Sequence, residues 1–302
     1  IISANMDYTL TKDAPSSPVS SLSLEELRQK SWSIVGAGRV GRTLGLLANR
    51  LGIPIASTWN RGENAARQTA NLLGHSRAFG GSLESCRQEL LAGAEVVWIT
   101  VVDAAIEPVA AQLAEYMSAD QNVLHTSGSL SSQVLAEAGV AGHVGSLHPL
   151  QAITTPEDAV ERLAKVAWTV EGAEEALRFA RGLMAQIGVE PVEIQADKKT
   201  LYHASAVTAA NLLVALEDAA FGMAQAAGMS REQARAMLVP LARTCVDNLE
   251  RQDTAEALTG PAARGDRETI ERHIEALEAL GDEELLEIYK VLTARAEGIA
   301  GK

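Results

Sequence analysis

Cysteine is scarce in this sequence, which limits how the fold can be cross-linked. The chain has 302 residues but only two cysteines, Cys86 and Cys245, far apart and with no second thiol near either. No disulfide framework is expected, and reduced, structural cysteines in a cytoplasmic protein are the simpler interpretation. The six histidines form no metal-binding pattern, since His143 and His148 are accompanied by no cysteine pair or His-Glu-x-x-His motif. We predict no metal ion.

Clustered positive charge and long apolar runs are also missing. The chain has 26 basic and 39 acidic residues, a formal net charge of -13, and no basic run of the kind that phosphate contacts require. No apolar stretch reads as long enough to cross a bilayer, and the polar start of the chain lacks a signal-peptide pattern. We therefore expect a globular cytoplasmic protein that has neither nucleic acid nor membrane as a partner.

Composition changes along the chain predict three regions. Residues 1–30 are rich in Ser, Pro and Asp and predict a disordered lead-in that ends in a short helix; Met6 is an alternative natural start. Residues 31–195 alternate apolar runs with amphipathic stretches, which predicts an α/β Rossmann domain with a doubly wound, mostly parallel sheet. Residues 196–302 have helical spacing throughout, which predicts an all-α helical bundle for substrate binding and dimerisation.

Three glycines indicate a nucleotide site between the first strand and the following helix. The stretch "IVGAGRVG" places Gly36, Gly38 and Gly41 in G-x-G-x-x-G order, with Arg39 and Val40 between the last two. The first glycine permits a tight turn, the second lets the backbone approach a pyrophosphate, and the third allows close helix packing. A glycine turn without a ligand is the alternative. Because a second strand completes the βαβ unit, the pattern favours dinucleotide binding.

The end of the second strand favours NADP(H) over NAD. NAD enzymes usually carry an acidic residue there to hold the ribose 2′-hydroxyl. This chain has "STWNRGE", with no acid until Glu63. Arg61 can bind a 2′-phosphate bidentately, with Ser57, Thr58 and Asn60 as helpers. The alternative for Arg61 is an ordinary solvated surface charge.

Two further strand ends are expected over the same crevice, because ligands of such sheets lie outside the carboxyl ends of the strands. "TVVDAAI" carries Val102 and Asp103, which we predict as cofactor contacts, although Asp103 is equally suited to cap its helix. "HTSGS" carries Ser127 and Gly128, which offer a hydroxyl and a backbone amide near the expected nicotinamide.

The helical half begins with polar residues in an apolar stretch. "YHASAVTAANLL" holds His203 and Asn211, whose spacing of eight places them on one helix face. The alternative is that His203 is a buried residue hydrogen-bonded within the protein and that Asn211 only packs between helices.

A loop-like segment, "ALTGPAARGDRETIERH", follows later in the helical half. Gly260 and Pro261 are expected to break the helices there, and Asp266 is a good N-cap for the helix that starts near Arg267. Arg264 could clamp a substrate carboxylate, or else pair with Asp266 or a second subunit.

His148 is the last candidate. It precedes Pro149 in "SLHPLQAI", and either faces the cleft as a substrate-binding residue or is a surface His beside a turn.

The motifs "GAGRVG", "HTSG", "LHPLQ", "YHASAVTAANLLVAL" and "ALTGPAARGD" together resemble a family of Rossmann-like proteins whose helical half is catalogued as a domain of unknown function. The resemblance runs from about Ser31 to the end of the chain. That family is similar in architecture to the 6-phosphogluconate dehydrogenase superfamily, which includes ketopantoate reductases, prephenate dehydrogenases and pyrroline-carboxylate reductases.

The resemblance implies roles for several residues. In ketopantoate reductases the first long helix of the second domain carries a catalytic Lys after an aromatic residue and an Asn eight positions later. Here Tyr202 stands for the aromatic residue, His203 for the Lys and Asn211 for the Asn, whereas Val207 replaces a further expected Asn. His148 resembles the His-Pro turn of prephenate dehydrogenases.

These features predict an NADPH-dependent reductase of a small, carboxylate-bearing keto or imino compound, with 2-ketopantoate as the specific substrate by analogy. His203 would donate a proton or orient the substrate, since an ordinary His titrates near neutral pH. Asn211 and Ser127 would hold the reacting oxygen, and Arg264 the carboxylate.

Two alternatives use the same scaffold. One is a non-catalytic NADP-binding sensor or scaffold protein. An enzyme that has lost its activity would also lack the catalytic lysine that His203 replaces here. The other is a prephenate-like or imino-acid oxidoreductase. The long apolar faces of the helical half also predict a homodimer through that domain.

Overall fold

The short apolar runs form one sheet in the computed structural model, which describes residues 21–74, 77–151 and 153–301. The predicted disordered lead-in lies outside the described residues as far as residue 20. Neighbours in the sheet follow the order β3-β2-β1-β4-β5-β6-β7-β8, and every pair is parallel except β6 with β7. The strands are β1 (Trp32–Val35), β2 (Ile55–Asn60), β3 (Ala78–Gly80), β4 (Val96–Ile99), β5 (Asn122–His125), β6 (His143–Pro149), β7 (Trp168–Gly172) and β8 (Val192–Glu193).

Helices connect the strands and cover both faces of the sheet. They are α1 (Leu24–Arg28), α2 (Arg39–Leu51), α3 (Glu63–Leu73), α4 (Arg87–Leu91), α5 (Asp103–Leu113), α6 (Gln133–Glu137), α7 (Pro156–Val160) and α8 (Glu174–Ala185). The predicted α/β class with a mostly parallel, doubly wound sheet is confirmed. The sequence does not predict β3, α4, α6 and α7. Each has only three to five residues, which is too few to show a periodic pattern of apolar residues.

Each face of the sheet has its own core. On one face Trp32, Trp98 and Phe179 pack together, with ring centroids 5.4 to 6.0 Å apart. On the other face the buried residues include Val97 and Ile99 of β4. Strands buried on both sides are apolar at consecutive positions, as in β4, and the one polar residue of β1, Ser33, donates its hydroxyl to the carbonyl of Leu90.

The strand register brings the ends of β1, β4 and β5 to one level, beside Ser146 of β6, which continues to Pro149. Val35 of β1 pairs with Ile99 of β4, which pairs with His125 of β5, which pairs with Ser146 of β6. The segments that follow β1, β4 and β5 therefore leave the sheet side by side, at its carboxyl edge. Ligands of such sheets bind at this edge.

The chain divides into two compact units, Ile1–Ser205 and Ala206–Lys302. The predicted domain boundary at residues 195 and 196 falls shortly before that division. α9 (Lys199–Ala226) begins in the first unit and continues into the second. The rest of the second unit consists of α10 (Arg231–Leu249), α11 (Thr254–Ala257), α12 (Gly260–Arg264), α13 (Arg267–Leu280) and α14 (Glu283–Ala300).

Helix ends in the second unit follow local capping chemistry, with one correction. Ser230 caps α10 and Asp266 caps α13, as predicted. Gly260 and Pro261 follow the predicted interruption between α11 and α12, but they also form the first turn of the short helix α12. Gly260 has a φ of +87°, which turns the chain, and Pro261 is favourable in a first helical turn.

α9 contradicts the expectation that no segment is long and apolar enough to cross a bilayer. Residues 196–226 pass that test by length and composition, with a mean hydropathy of 1.3. One such helix is weak evidence for a membrane span, because helices that pack within soluble proteins can have the same composition. The cytoplasmic location stays a prediction.

Candidate active site

The glycine loop between β1 and α2 has the backbone that its sequence predicts. Gly36 has a φ of +86°, and a Cβ there would lie 2.4 Å from Val101 Cγ1. A Cβ on Gly41 would lie 2.5 Å from Thr100 Oγ1. Gly38 is different, because a Cβ would meet nothing closer than 3.8 Å. The outer glycines thus allow close packing, while Gly38 presents bare backbone to open space, where a phosphate could approach.

The start of α2 leaves its backbone donors available to an anion. Gly38 is the N-cap and provides no side-chain hydrogen bond to the first turn, which begins with Arg39 and Val40. The exposed Arg39 donates from Nη1 to the carbonyl of Ile153 at 3.2 Å. An uncapped N-terminus of a 13-residue helix attracts negative charge through its free N–H groups and its dipole. The loop therefore fits a dinucleotide diphosphate.

The end of β2 differs from the prediction. Ser57 is fully buried, and its hydroxyl is hydrogen-bonded to Ser33 Oγ and the carbonyl of Leu90. Thr58 is buried as well. Neither can bind a cofactor, because residues in the middle of a central strand point into the two cores. The prediction of Ser57 and Thr58 as helpers is wrong.

The Asn60 side chain is hydrogen-bonded to the backbone of the glycine loop. Its Nδ2 donates to the carbonyl of Ala37 at 2.8 Å, and its Oδ1 accepts from Thr69 Oγ1 at 3.1 Å. The side chain is therefore occupied within the protein, and its predicted cofactor contact is not seen. Arg61, the next residue, is exposed beyond the carboxyl end of β2. Its role as the 2′-phosphate ligand stays a prediction.

Asp103 organises the loop after β5 and does not cap α5. The N-cap position is taken by Val102, which is 75% exposed, and Asp103 lies in the first turn. Asp103 Oδ2 accepts hydrogen bonds from Ser127 Oγ at 2.8 Å and Ser129 Oγ at 2.7 Å. The capping alternative is therefore wrong, since the carboxylate is used across the two strand ends.

Ser127 is also committed to this loop. Its hydroxyl donates to Asp103 and accepts from the backbone N–H groups of Ser129 and Leu130 at 3.1 and 3.0 Å. A serine hydroxyl has one proton to donate. The predicted role of Ser127 in holding a reacting oxygen is therefore contradicted, and its hydroxyl instead shapes the turn that presents Gly128.

Two imidazoles meet at Gly128. A Cβ on this buried glycine would lie 2.6 Å from His203 Nδ1 and 2.8 Å from His148 Nε2, so only glycine fits between the loop and the rings. The ring centroids of His148 and His203 are 6.1 Å apart. Tyr202 Oη lies 3.1 Å from His148 Nδ1. The fold thus brings together three predicted residues, His148, His203 and Gly128, from β6, α9 and the loop after β5.

Sequence reasoning missed a buried ion pair beside this cluster. Lys199 Nζ lies 3.1 Å from Glu171 Oε1, and the two side chains are 2% and 4% exposed. Lys199 also donates to Ser146 Oγ. Glu171 accepts from the backbone N–H of Ser132 at 2.7 Å and from its hydroxyl at 2.8 Å. A signal was present, because Glu171 interrupts the apolar strand "WTVEG" and a buried acid requires a cation.

Burial and the Lys199 charge keep the neighbouring imidazoles neutral. Burial lowers the pKa of Lys199 to about 8, against the opposing effect of Glu171. Burial and then Lys199 lower the pKa of His125 to about 3 and that of His148 to about 4, while Asp103 acts in the opposite direction. At neutral pH these rings therefore act as hydrogen-bonding groups and carry no charge.

His125 is a structural member of this group. It is fully buried, and its Nδ1 accepts from the backbone N–H of Ser127 at 3.1 Å. Because Nδ1 is an acceptor, the ring proton is on Nε2. The imidazole thereby orients the start of the loop that carries Gly128.

Two predicted residues belong to the second unit. Asn211 is exposed on α9, and Arg264 is the exposed last residue of α12. Asp266 is used as the cap of α13, accepting from the backbone N–H of Thr269 at 3.1 Å. The predicted substrate contacts of Asn211 and Arg264 stay predictions.

The chain resembles a family defined only by its sequence. Residues 166–296 match the domain of unknown function DUF2520. This match confirms the predicted combination of a Rossmann domain with a helical half of unknown function. It begins before β7, so it includes Glu171 and Lys199 as well as the helical unit. No curated protein matches the chain.

Solved structures share the whole fold. Protein TM1727 from Thermotoga maritima is 25% identical, with a TM-score of 0.71 over 89% of this chain and 98% of that one. BF3122 from Bacteroides fragilis, provisionally named an NADP oxidoreductase, is 19% identical, with a TM-score of 0.70 over 90% and 99%. Pyrroline carboxylate reductase from Plasmodium falciparum, solved with NADP bound, is 12% identical, with a TM-score of 0.54 over 90% and 98%.

The buried pair generates a stability prediction. Lys199→Met leaves the Glu171 carboxylate buried without its cation, and we expect it to destabilise the first unit by about 3–5 kcal/mol. Adding Glu171→Gln should recover much of this loss, because the uncompensated charge is removed. Urea unfolding followed by tryptophan fluorescence measures the effect, since all four tryptophans, residues 32, 59, 98 and 168, lie in the first unit.

Lys198→Met is the matched control. Lys198 is the preceding residue and pairs with Asp197 on the surface, so its removal should change stability little. Equal effects of the two lysine variants would contradict the assigned role of the buried pair.

Proposed function

We propose that this protein is an NADP(H)-dependent reductase of a small keto or imino compound that carries a carboxylate. The observation that carries the proposal is the common level of the strand ends. The glycine loop after β1 and the cluster of His148, His203 and Gly128, at the end of β6 and after β5, lie at the same carboxyl edge of one sheet. This is where a dinucleotide and its substrate meet in folds of this kind. The NADP-related neighbours support the same cofactor.

The residues that would hold the cofactor follow from the loop geometry. The backbone from Gly36 to Gly41 and the first turn of α2 would hold the diphosphate, and Arg61 the 2′-phosphate. Val102 and Asp103, at the start of α5, would flank the nicotinamide. When bound, NADPH supplies a hydride. The neutral imidazole of His148 and the buried walls around Gly128 would orient the acceptor and limit the access of water.

The substrate side of the proposal keeps the residues predicted from the sequence. His203 and His148 would contact the reacting group beside Gly128, Asn211 would hydrogen-bond its oxygen, and Arg264 would bind the carboxylate. 2-Ketopantoate is the specific compound that we propose first, on the resemblance to ketopantoate reductases. Cyclic imino acids come next, because a pyrroline carboxylate reductase shares the fold.

Arg61→Ala tests the cofactor. Loss of a charge-assisted contact of about 1.5–3 kcal/mol should raise the Kd for NADPH about 10- to 100-fold and leave the Kd for NADH unchanged. Titration calorimetry measures both constants. Arg67→Ala is the matched control, because Arg67 is exposed on α3 and pairs with Glu63. Equal weakening of NADPH and NADH would contradict the 2′-phosphate assignment.

Turnover tests the reaction. Purified protein is assayed for NADPH oxidation with 2-keto acids and cyclic imines, ketopantoate among them. We expect one class to react, and His148→Ala and His203→Ala each to lower kcat with little change in NADPH affinity, because both rings would contact the reacting group. His143→Ala is the control, because His143 lies at the opposite end of β6 from His148. NADPH binding without turnover of any compound would favour the sensor alternative.

We also propose that the protein is a homodimer through its helical unit. Only Ala219, Ala234, Ile270 and Leu277 are buried hydrophobic residues among the described residues after 205. Large apolar side chains are exposed instead, among them Val214 at 70%, Met237 at 60% and Leu241 at 61%. Exposed apolar surface of this extent is typical of an interface, and a second copy of the same unit offers a complementary apolar surface.

Charges on α10 test this interface. Wild-type protein should have twice the 31.9 kDa chain mass in light scattering. Met237→Glu combined with Leu241→Glu should give monomers, because charged groups would have to be buried without partners. Val192→Glu, which changes an exposed apolar residue of the first unit, should leave the mass unchanged. A monomeric wild type at micromolar concentration would exclude the dimer.

A further inference from the structure

The two imidazoles at Gly128 differ in how their Nδ1 atoms are bonded. His148 Nδ1 lies 3.1 Å from Tyr202 Oη, with the rings edge to face at 83° and centroids 5.9 Å apart. His203 Nδ1 is buried and has no hydrogen-bond partner within the described part of the chain. Proton-transfer groups in enzymes are usually oriented by a hydrogen bond on the ring nitrogen that does not react. His148 has this arrangement, and His203 lacks it.

The surroundings set the protonation states of Tyr202 and His148. Burial raises the pKa of Tyr202, against the opposing effect of the Thr169 side chain, so its phenol is protonated at neutral pH. The groups that act electrostatically on His148 are Lys199 and His203, which disfavour its charged form, and Asp103, which favours it. The ring is therefore neutral, and its hydrogen bond with Tyr202 has one of two forms: the phenol donates to Nδ1, or Nδ1–H donates to the phenol oxygen. With the phenol as donor, the ring proton is on Nε2, the atom that lies beside Gly128.

We propose that His148, and not His203, passes the proton to the substrate, and that Tyr202 is a positioning residue that holds His148 in its Nε2–H tautomer. This inference rests on the proposed reductase function and names the proton donor of that site. His203 then has a packing role, because its ring closes against Gly128 and lies 6.1 Å from His148.

The proton balance of the step is complete. As hydride adds to the substrate carbon, the π electrons of the C=O or C=N bond move to the oxygen or nitrogen. That atom forms a new bond to the proton of His148 Nε2, and the Nε2–H bond breaks. Nδ1 takes the phenolic proton of Tyr202, which leaves a phenolate. After release of product, the Nδ1 proton returns to the phenolate and Nε2 takes a proton from solvent, which restores the Nε2–H tautomer.

The first test reads the tautomer directly and needs no substrate. In protein labelled with ¹⁵N only at histidine, long-range NMR correlations should show His148 with a protonated Nε2 and an acceptor Nδ1. His148→Gln assigns the signals by their loss. Tyr202→Phe removes the donor, so the Nδ1-protonated tautomer should become populated. A His148 ring protonated on Nδ1 in the wild type, or an unchanged tautomer in Tyr202→Phe, would overturn the inference.

The chain contains its own matched control. His273 Nδ1 and Tyr289 Oη in the second unit are 2.7 Å apart, with rings at 80° and centroids 5.7 Å apart. Tyr289→Phe removes the same type of hydrogen bond. It should alter the His273 signals, leave those of His148 in place, and leave turnover unchanged.

The second test uses a substrate found by the NADPH assay. Tyr202→Phe should lower kcat roughly tenfold or more at nearly constant KM, and His148→Ala should lower kcat by about 100-fold or more. If His203→Ala lowers kcat more than His148→Ala does, the proton passes through His203 and the inference fails. If no compound is turned over, the proposed function fails, while the NMR result still decides whether Tyr202 sets the tautomer of His148.

Discussion

The buried contact between Lys199 and Glu171 is the interaction on which the candidate site depends. Lys199 is the first residue of α9, the helix that carries Tyr202 and His203. Its ammonium group joins that helix to β6 through Ser146 and to β7 through Glu171. Removing two charges from water is costly, and the cost is offset here because each ion has further partners, including both donors of Ser132. The position of the imidazoles at Gly128 follows from this anchor.

The same pair sets the electrostatics of the site. A buried cation near His125 and His148 opposes their protonation, and burial acts in the same direction. Asp103 opposes both effects only weakly, because its carboxylate is exposed and is bonded to the hydroxyls of Ser127 and Ser129. His125 and His148 are therefore neutral at neutral pH, and their contacts are hydrogen bonds without ionic partners.

Sequence patterns predict the structure correctly where the conformation depends on one short segment alone. The glycine spacing of residues 36 to 41 predicted a loop whose first and third glycines leave no room for a side chain, as found. Asp266 was recognised as a cap because capping involves only three neighbouring residues. Ser57 and Ser127 were misread, because their hydroxyls are used by partners that are distant in sequence, Leu90 and Asp103. Lys199 was overlooked for the same reason, since Glu171 stands 28 positions earlier.

The sequence by itself determined the order of strands and helices, the α/β class and the glycine loop, because hydrophobic period and backbone freedom are local properties of the chain. It also marked His148 and His203 as unusual, without relating them to each other. Only the tertiary structure decided which side chains meet at Gly128 and which buried charge lies beside them. The reason is physical. Parallel strands align residues that are far apart in sequence, and the pKa of an imidazole depends on the burial and the charges that this alignment creates.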